Sequence, residues 1–128
     1  MDTTQQLEEI LIKHKWSLLD GETDEPVEGN FESYDISGLT FTDNFEVAIY
    51  YSKKNNVLVN KLFKPDNTLF SNLRIHSKDI ISVLSLIFEW APKLTKENFS
   101  VYVQELHKIS DELIFNNNGQ WVKVNINT

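Results

Sequence analysis

Alternating apolar and polar positions between residues 39 and 75 predict a four-stranded antiparallel meander. The clearest strand covers residues 45–51, in which every second residue is apolar: Phe45, Val47, Ile49 and Tyr51. Residues 57–63 repeat this period after a polar stretch, and residues 39–41 and 69–75 extend it on both sides. A period of two is typical of strands that bury one face.

The turns between these strands predict a cross-strand register, because directly opposed residues share a face of the sheet. A five-residue loop at positions 52–56 places apolar residues opposite one another on the two strands. A two-residue turn at Asn55 and Asn56 is less suitable, because it would place Tyr51 opposite Asn60. Turns at residues 42–44 and 64–68 extend the same face, with Pro65 suited to the second. The predicted pairs are Leu39–Val47, Phe41–Phe45, Phe45–Phe63, Ile49–Val59, Tyr51–Val57, Val57–Ile75, Val59–Leu73 and Phe63–Leu69.

Helical spacing of apolar residues appears on both sides of the meander. It predicts a first helix from Thr3 or Thr4 to Lys15, a second over residues 78–90 capped by Ser77, and a third after Thr95. The apolar stripe of the third helix runs as far as Leu113. Residues 20–30 read as a polar loop, residues 31–36 as an edge strand and residues 120–126 as a last strand.

The predicted order is an N-terminal helix, a four- to five-stranded antiparallel meander, two helices and a C-terminal strand. Segregated strands and helices predict an α+β fold with the helices packed on one face of the sheet. A length of 128 residues predicts a single domain, residues 1–128.

Charge is distributed unevenly along the chain, whose net charge is −7. Residues 1–46 contain twelve acidic and two basic side chains, whereas residues 47–128 contain seven acidic and ten basic ones. Residues 20–46 contain nine acids and no base. This distribution disfavours direct nucleic-acid binding by the N-terminal third and favours a basic protein partner.

Motifs for catalysis, metal binding and export are absent from the sequence. It has no cysteine, no Gly-x-Ser-x-Gly motif, no glycine-rich phosphate loop and no paired histidines at metal-ligand spacing. Asp20, Glu22 and Asp24 resemble the start of a calcium loop, but Glu25 and Phe31 occupy the positions that need Gly and Glu. We therefore expect no enzymatic activity, no cofactor and no metal. The polar N-terminus and the lack of a membrane-length apolar run favour a cytoplasmic protein.

The second face of the predicted meander is half apolar, which is more than a solvated face needs. In the predicted register it carries Glu46, Tyr50, Leu58, Leu62, Phe70, Arg74 and His76. One explanation is that the first helix or Trp121 covers this face. The other is a protein-binding patch anchored by Tyr34 and Tyr50, since tyrosine is enriched at binding hot spots.

These patterns favour a non-catalytic acidic protein that captures and inhibits a basic partner, as an immunity protein or a phage-type inhibitor does. A composition rich in Asn, Lys and Ile is compatible with a bacterial or phage origin. The predicted partner-binding residues are Asp20, Glu22, Asp24, Glu25, Glu28, Glu32, Tyr34, Asp35, Glu46 and Tyr50.

Two other hypotheses stay open at this point. The first is a homodimeric chaperone or scaffold that buries Tyr50, Leu58 and Leu62 against a second copy. The second is a small-ligand domain with a cavity lined by the three tryptophans, Trp16, Trp90 and Trp121. Aromatic residues in such positions more often belong to the core than to a pocket.

Overall fold

The computed structural model describes residues 3–18, 23–27, 30–117 and 120–123, with only the backbone described for residues 23–27, 30–33, 117, 120 and 121. Its helices are α1 (Thr3–Lys13), α2 (Ile80–Trp90) and α3 (Phe99–Ile109), and a 3₁₀ turn occupies Ala91–Lys93. Its strands are β1 (Ser17–Leu18), β2 (Thr23–Val27), β3 (Asn30–Tyr34), β4 (Ile36–Phe41), β5 (Glu46–Ser52), β6 (Val57–Phe63), β7 (Leu69–His76), β8 (Glu112–Asn117) and β9 (Gln120–Lys123).

Seven of the strands form one antiparallel sheet in the order β1-β4-β5-β6-β7-β8-β9, and β2 pairs with β3 in a separate hairpin. Side chains of all three helices join one face of this sheet in the main apolar core. The predicted α+β class is confirmed, with more strands than the meander pattern indicated. No helix in the described ranges is long and apolar enough to cross a membrane.

Helix α2 lies at the centre of the core because it is apolar on most sides. Its Val83, Leu84 and Ile87 side chains have no exposed surface. The helix starts after Asp79, whose carboxylate accepts hydrogen bonds from the Ser82 N–H at 3.1 Å and from the Ser82 hydroxyl at 2.6 Å. These bonds lower the pKa of Asp79. The predicted cap, Ser77, instead donates its hydroxyl to the Ile109 carbonyl, which joins the start of α2 to the end of α3.

A buried polar pair connects α3 with the middle of the sheet. Asn60 on β6 and Tyr102 on α3 have no exposed surface. The Tyr102 hydroxyl donates to the Asn60 amide oxygen at 2.5 Å, and the Asn60 amide nitrogen donates to the Ala48 carbonyl at 3.2 Å. Every polar atom of this pair therefore has a partner, as buried polar groups require.

Close packing of α1 against β4 depends on Gly38. A Cβ atom at Gly38 would lie 2.9 Å and 3.1 Å from the two δ-carbons of Leu11, which is fully buried. The missing side chain thus lets the helix approach the strand, a common use of glycine within strands.

We expect Gly38→Val to lower the free energy of unfolding by about 1–3 kcal/mol, because overfilling a packed core forces side chains off their rotamers. Urea denaturation monitored by circular dichroism measures this change. Leu11→Ala opens the space that the valine needs, so the double variant should be more stable than the sum of the two single losses implies. Strictly additive losses would show that α1 does not pack on Gly38.

The predicted register is off by one residue between β5 and β6. Tyr51 pairs with Leu58, not with Val57, because Ser52 extends β5 and pairs with Val57. The connection shortens to residues 53–56 and ends at Asn56, whose φ of 51° is left-handed. Asparagine tolerates this conformation, so the chain turns within four residues and the connection begins one residue later than predicted.

A similar shift occurs between β4 and β5, where Phe41 pairs with Glu46. The turn includes Phe45, because the Thr42 hydroxyl accepts the Phe45 N–H at 3.1 Å and the Thr42 N–H donates to the Phe45 carbonyl at 2.8 Å. Between β6 and β7 the predicted Phe63–Leu69 pair is confirmed. A β-bulge at Phe70 then shifts all later pairs by one residue.

These shifts turn β4 and β6 over relative to the prediction, because a one-residue slip moves each side chain to the other face. Residues 71–76 of β7 keep their predicted orientation, because the slip before β6 and the bulge at Phe70 cancel, whereas Leu69 and Phe70 lie on the faces opposite to those predicted. Leu58 and Leu62 are consequently fully buried against the helices. Phe70 also packs on the helix side, with ring centroids 5.0 Å from Phe45 and 5.2 Å from Phe99.

Two strands occupy segments predicted otherwise. The third helix ends at Ile109 because Ser110 adopts an extended backbone, and residues predicted to continue the helix form β8. Residues 23–27, predicted as loop, form β2 and pair with β3. Only two residues separate these strands in the sequence, which is a common connection length for a β-hairpin.

Candidate protein-binding surface

We use the term second face for the face of the seven-stranded sheet that points away from the helices. The cross-strand register assigns to it Ser37, Leu39, Phe41, Glu46, Ala48, Tyr50, Ser52, Val57, Val59, Lys61, Phe63, Leu69, Asn72, Arg74 and His76. Leu58, Leu62 and Phe70, which the sequence placed here, lie on the opposite face as described above. The surface is therefore built from a partly different set of residues.

One end of the second face is closed by Tyr34 from the end of β3. Tyr34, Val57 and Val59 form a small separate core and are at most 1% exposed. Tyr50 lies at the rim of this core, with its ring centroid 5.6 Å from that of Tyr34 and 5.4 Å from the Lys61 ammonium nitrogen. The first helix is not the cover, because α1 packs on the helix side. The side chain of Trp121, the other predicted cover, lies outside the described atoms.

The opposite end of the second face carries an apolar row open to solvent. Phe41 pairs with Glu46, Glu46 with Phe63, and Phe63 with Leu69. We call these four residues the open row. Phe41 is 73% exposed and Leu69 is 49% exposed. Since adjacent strands lie about 4.8 Å apart, the row spans roughly 14 Å across four strands.

An acidic side chain lies within this apolar row. Glu46 is half-buried between Phe41 and Phe63 and makes no ion pair with any residue of the described ranges. A depression of about 310 Å³ beside the row is lined by residues that include Asp43, Glu46 and Lys64. Asp66 in the next turn is engaged locally, since the Thr68 hydroxyl and N–H donate to it and lower its pKa.

The predicted acidic residues fall into two groups. Asp20, Glu22 and Glu28 lie outside the described residues. Asp24 and Glu25 are on β2 and Glu32 is on β3, where Glu25 and Glu32 are directly opposed. Like charges at directly opposed positions destabilise a strand pair.

Among the other predicted residues, Glu46 is in the open row and Tyr50 is half-buried. Tyr34 has almost no surface to offer a partner, so its role is to hold the end of the hairpin against the sheet. Asp35 is exposed but its carboxylate accepts the Lys53 N–H at 2.7 Å, and its N–H donates to the Tyr51 carbonyl at 2.7 Å. It therefore fixes the junction of β3 and β4 to the β5–β6 turn.

Sequence reasoning missed Phe41, Phe63 and Leu69 as surface residues, because the predicted register placed them in the core. The available signal was their position next to turns, at the ends of strands, where covering helices often do not reach. Two of the three tryptophans of the proposed cavity pack against other aromatic rings, with centroid distances of 5.0 Å for Trp16 and Phe88 and 6.0 Å for Trp90 and Tyr102. The side chain of Trp121 lies outside the described atoms.

No group of three or more His, Cys, Asp or Glu side chains in the described part of the chain is arranged to hold a metal ion. Comparisons with protein-family models, with curated proteins and with solved structures find no match to this chain. The open row and the acidic hairpin are thus the features on which a function can be argued.

Proposed function

We propose that this protein is a non-catalytic binding protein that captures and inhibits a basic protein partner through the open row. The observation that carries the proposal is the exposure of Phe41 and Leu69 on both sides of Glu46 and Phe63. Exposed aromatic residues beside polar ones are typical of the centre of a protein interface.

The shape of the surface supports a macromolecular partner. The open row is spread along four strands at a sheet end, whereas small-molecule sites are concave and enclose most of the ligand. A partner that covers Phe41 and Leu69 removes their apolar surface from water, at about 25 cal/mol per Å².

The charge of the chain supports a basic partner. Nine acids and no base occupy residues 20–46. Glu25 and Glu32 are directly opposed in the hairpin register, and a positive charge of a partner bound beside this pair offsets the cost of opposing like charges. Acidic surface also accelerates encounter with a basic protein and fixes its orientation. An inhibitor of this kind acts by covering a basic functional surface, such as the nucleic-acid-binding surface of a toxin.

The test is capture from the native host extract with wild-type protein and matched variants, followed by mass spectrometry. We expect a basic protein in the wild-type eluate that is released as the salt concentration rises. Phe41→Ala should weaken its binding by about 2 kcal/mol, which is roughly thirty-fold, as for a hot-spot aromatic residue. Glu25→Lys with Glu32→Lys should weaken binding most at low salt.

Matched controls lie on the helix side of the sheet. Ile12 is 58% exposed on α1, so Ile12→Ala removes a comparable apolar side chain from the other face. Glu8→Lys with Glu9→Lys repeats the double charge reversal at two exposed acids on α1, away from the hairpin. The proposal is wrong if the controls weaken capture as much as the site variants, or if the captured protein is unaffected by Phe41→Ala.

A homodimeric scaffold is the second candidate, because the same row can bury its apolar residues against a second copy. The dimer surface first expected through Leu58 and Leu62 is not accessible, so Phe41, Phe63 and Leu69 would replace them. Sedimentation at several concentrations distinguishes the two functions. A dimer that Phe41→Asp dissociates supports the scaffold, and a monomer at all concentrations excludes it.

A further inference from the structure

A depression of about 290 Å³ lies where the start of the β4–β5 turn meets the ends of α1 and α2. The aromatic side chains of Trp16, Phe41 and Phe88 are among those that line it, together with the carboxylate of Asp43. We call this space the Phe41 pocket. Because Phe41 also belongs to the open row, the pocket adjoins the surface proposed to bind the partner.

The charges around Asp43 distinguish the Phe41 pocket from its neighbours. Asp43 also lines two other depressions of about 310 Å³ each. Both of these contain Lys64, and one contains Lys96 as well. No lysine or arginine is among the described residues that line the Phe41 pocket. A cation that approaches Asp43 therefore meets less repulsion in the Phe41 pocket than in the other two depressions.

The β4–β5 turn holds Asp43 in a fixed position. The Thr42 hydroxyl accepts the Phe45 N–H at 3.1 Å, and the Asn44 side-chain nitrogen donates to the Leu94 carbonyl at 3.0 Å. Leu94 is fully buried, so the turn is attached to the core. Asp43 itself is exposed and makes no ion pair with any residue that the structure describes. A carboxylate that is already held in place loses little freedom when it binds a cation.

The combination of aromatic rings with one carboxylate favours arginine over lysine. The guanidinium group is planar, stacks on aromatic faces and keeps its N–H groups directed at a carboxylate. An ammonium group is compact and more strongly hydrated, so it gains less from an aromatic wall. Phe41 is 73% exposed and therefore has ring surface to offer.

We propose that the Phe41 pocket binds one arginine side chain, whose guanidinium group stacks on Phe41 and donates hydrogen bonds to Asp43. The volume is close to the lower limit for small-molecule pockets, which suits a single side chain. The inference rests on the proposed function for the source of the arginine, which is the basic partner. It deepens that function by naming the side chain that enters beside the open row.

Titration with N-acetyl-arginine amide, followed by amide chemical shifts at constant ionic strength, tests the pocket without the partner. We expect saturable shifts at residues 14–16, 40–43 and 88, with half-saturation on the order of 10 mM, as suits a single exposed cation site. N-acetyl-citrulline amide has the same shape but no charge, and it should bind about five-fold more weakly. A pH of 7.5 keeps histidine side chains largely uncharged, which matters because His14 also lines the pocket.

Two variants and a matched control locate the site. Asp43→Asn should bring the arginine and citrulline affinities to within a factor of about two of each other. Phe41→Ala should weaken the binding of both compounds at least roughly three-fold, because both lose the stacking surface. Glu97→Gln makes the same acid-to-amide change at an exposed residue in one of the depressions that contain Lys64. It should keep a preference for arginine of at least about three-fold.

Three results would overturn the pocket. They are shifts that do not saturate, equal affinities of the wild-type protein for the two compounds, and a preference for arginine that Glu97→Gln lowers as much as Asp43→Asn does. If one of them is found while capture of the partner still depends on Phe41, the pocket is rejected and the proposed function stands. Saturable arginine binding without any captured basic protein rejects the proposed function and retains the pocket.

Discussion

Replacing Asn60 by Leu is expected to lower the free energy of unfolding by about 1–3 kcal/mol, even though leucine is the more apolar residue. The reason is the Tyr102 hydroxyl, which donates to Asn60 at 2.5 Å and has no exposed surface. Without Asn60 it becomes an unpaired donor in the core. Urea denaturation followed by tryptophan fluorescence and circular dichroism gives the change in free energy.

The double variant Asn60→Leu with Tyr102→Phe removes both members of the hydrogen bond. We expect it to recover most of the stability lost in either single variant, because replacing both partners by apolar groups is often close to neutral. A double-mutant cycle with no coupling energy would show that the two side chains do not depend on each other.

The stability of the protein at alkaline pH provides an independent measure of the contribution of Tyr102. Burial raises the pKa of the Tyr102 phenol above its ordinary value of about 10. The unfolded chain therefore releases this proton at a lower pH than the folded chain. The contribution of Tyr102 to stability is complete below about pH 10 and is lost as the pH rises beyond it. The Tyr102→Phe variant lacks this loss, so the stability difference between the two proteins should narrow above about pH 10.

Replacing Leu84 by Ala is expected to lower the free energy of unfolding by about 2–5 kcal/mol, a larger loss than we expect for Gly38→Val or Asn60→Leu. Leu84 is fully buried on α2, which packs against the sheet and contacts both other helices. Truncation removes apolar contact and leaves a cavity that the surrounding side chains fill only in part. Thermal and urea denaturation both measure the effect.

Leu86→Ala is the matched control, since it makes the same change on the same helix at a half-buried position. We expect its cost to be less than half that of Leu84→Ala, because the neighbouring space is open to water and no closed cavity forms. Equal costs at the two positions would contradict the central placement of α2.

The orientation of a strand was predicted correctly where its apolar residues lie on one face, and it was not where apolar residues lie on both faces. In β5, Val47 and Ile49 face the helices as expected. In β6 the apolar residues occupy both faces, so the pattern could not select between two registers one residue apart. The selection depends on Asn60, a polar residue that the pattern places outside and the structure places in the core.

The register that places Asn60 in the core is explained only by its hydrogen bond with Tyr102, which lies 42 residues further along the chain. A long-range hydrogen bond of this kind has no periodic signature in sequence. The strand β8 was missed for a related reason. Its apolar residues continue the helical stripe of α3, and only the extended backbone at Ser110 separates the two elements.

Of the four residues of the open row, only Glu46 was among the predicted binding residues. Glu46 was identified from its charge and strand position, and it lies in the open row. Phe41 and Leu69 were missed, because an apolar residue at the end of a strand is predicted to be buried until the neighbouring turn, which sets the register, is known. Tyr34 was predicted to be a surface anchor because tyrosine is enriched at binding hot spots, and only the fold of the hairpin shows that it is buried.

The order of strands in the sheet has a consequence for how the chain folds. Strands β4, β5, β6 and β7 are neighbours in the sheet and also follow one another in sequence, joined by short turns. Closing such short loops costs little chain entropy, so these four strands can pair early in folding at a small entropic cost. Contacts of low sequence separation also favour rapid folding. We therefore expect β4–β7 to form the folding nucleus, onto which α2 condenses before the more distant β1 completes the edge of the sheet.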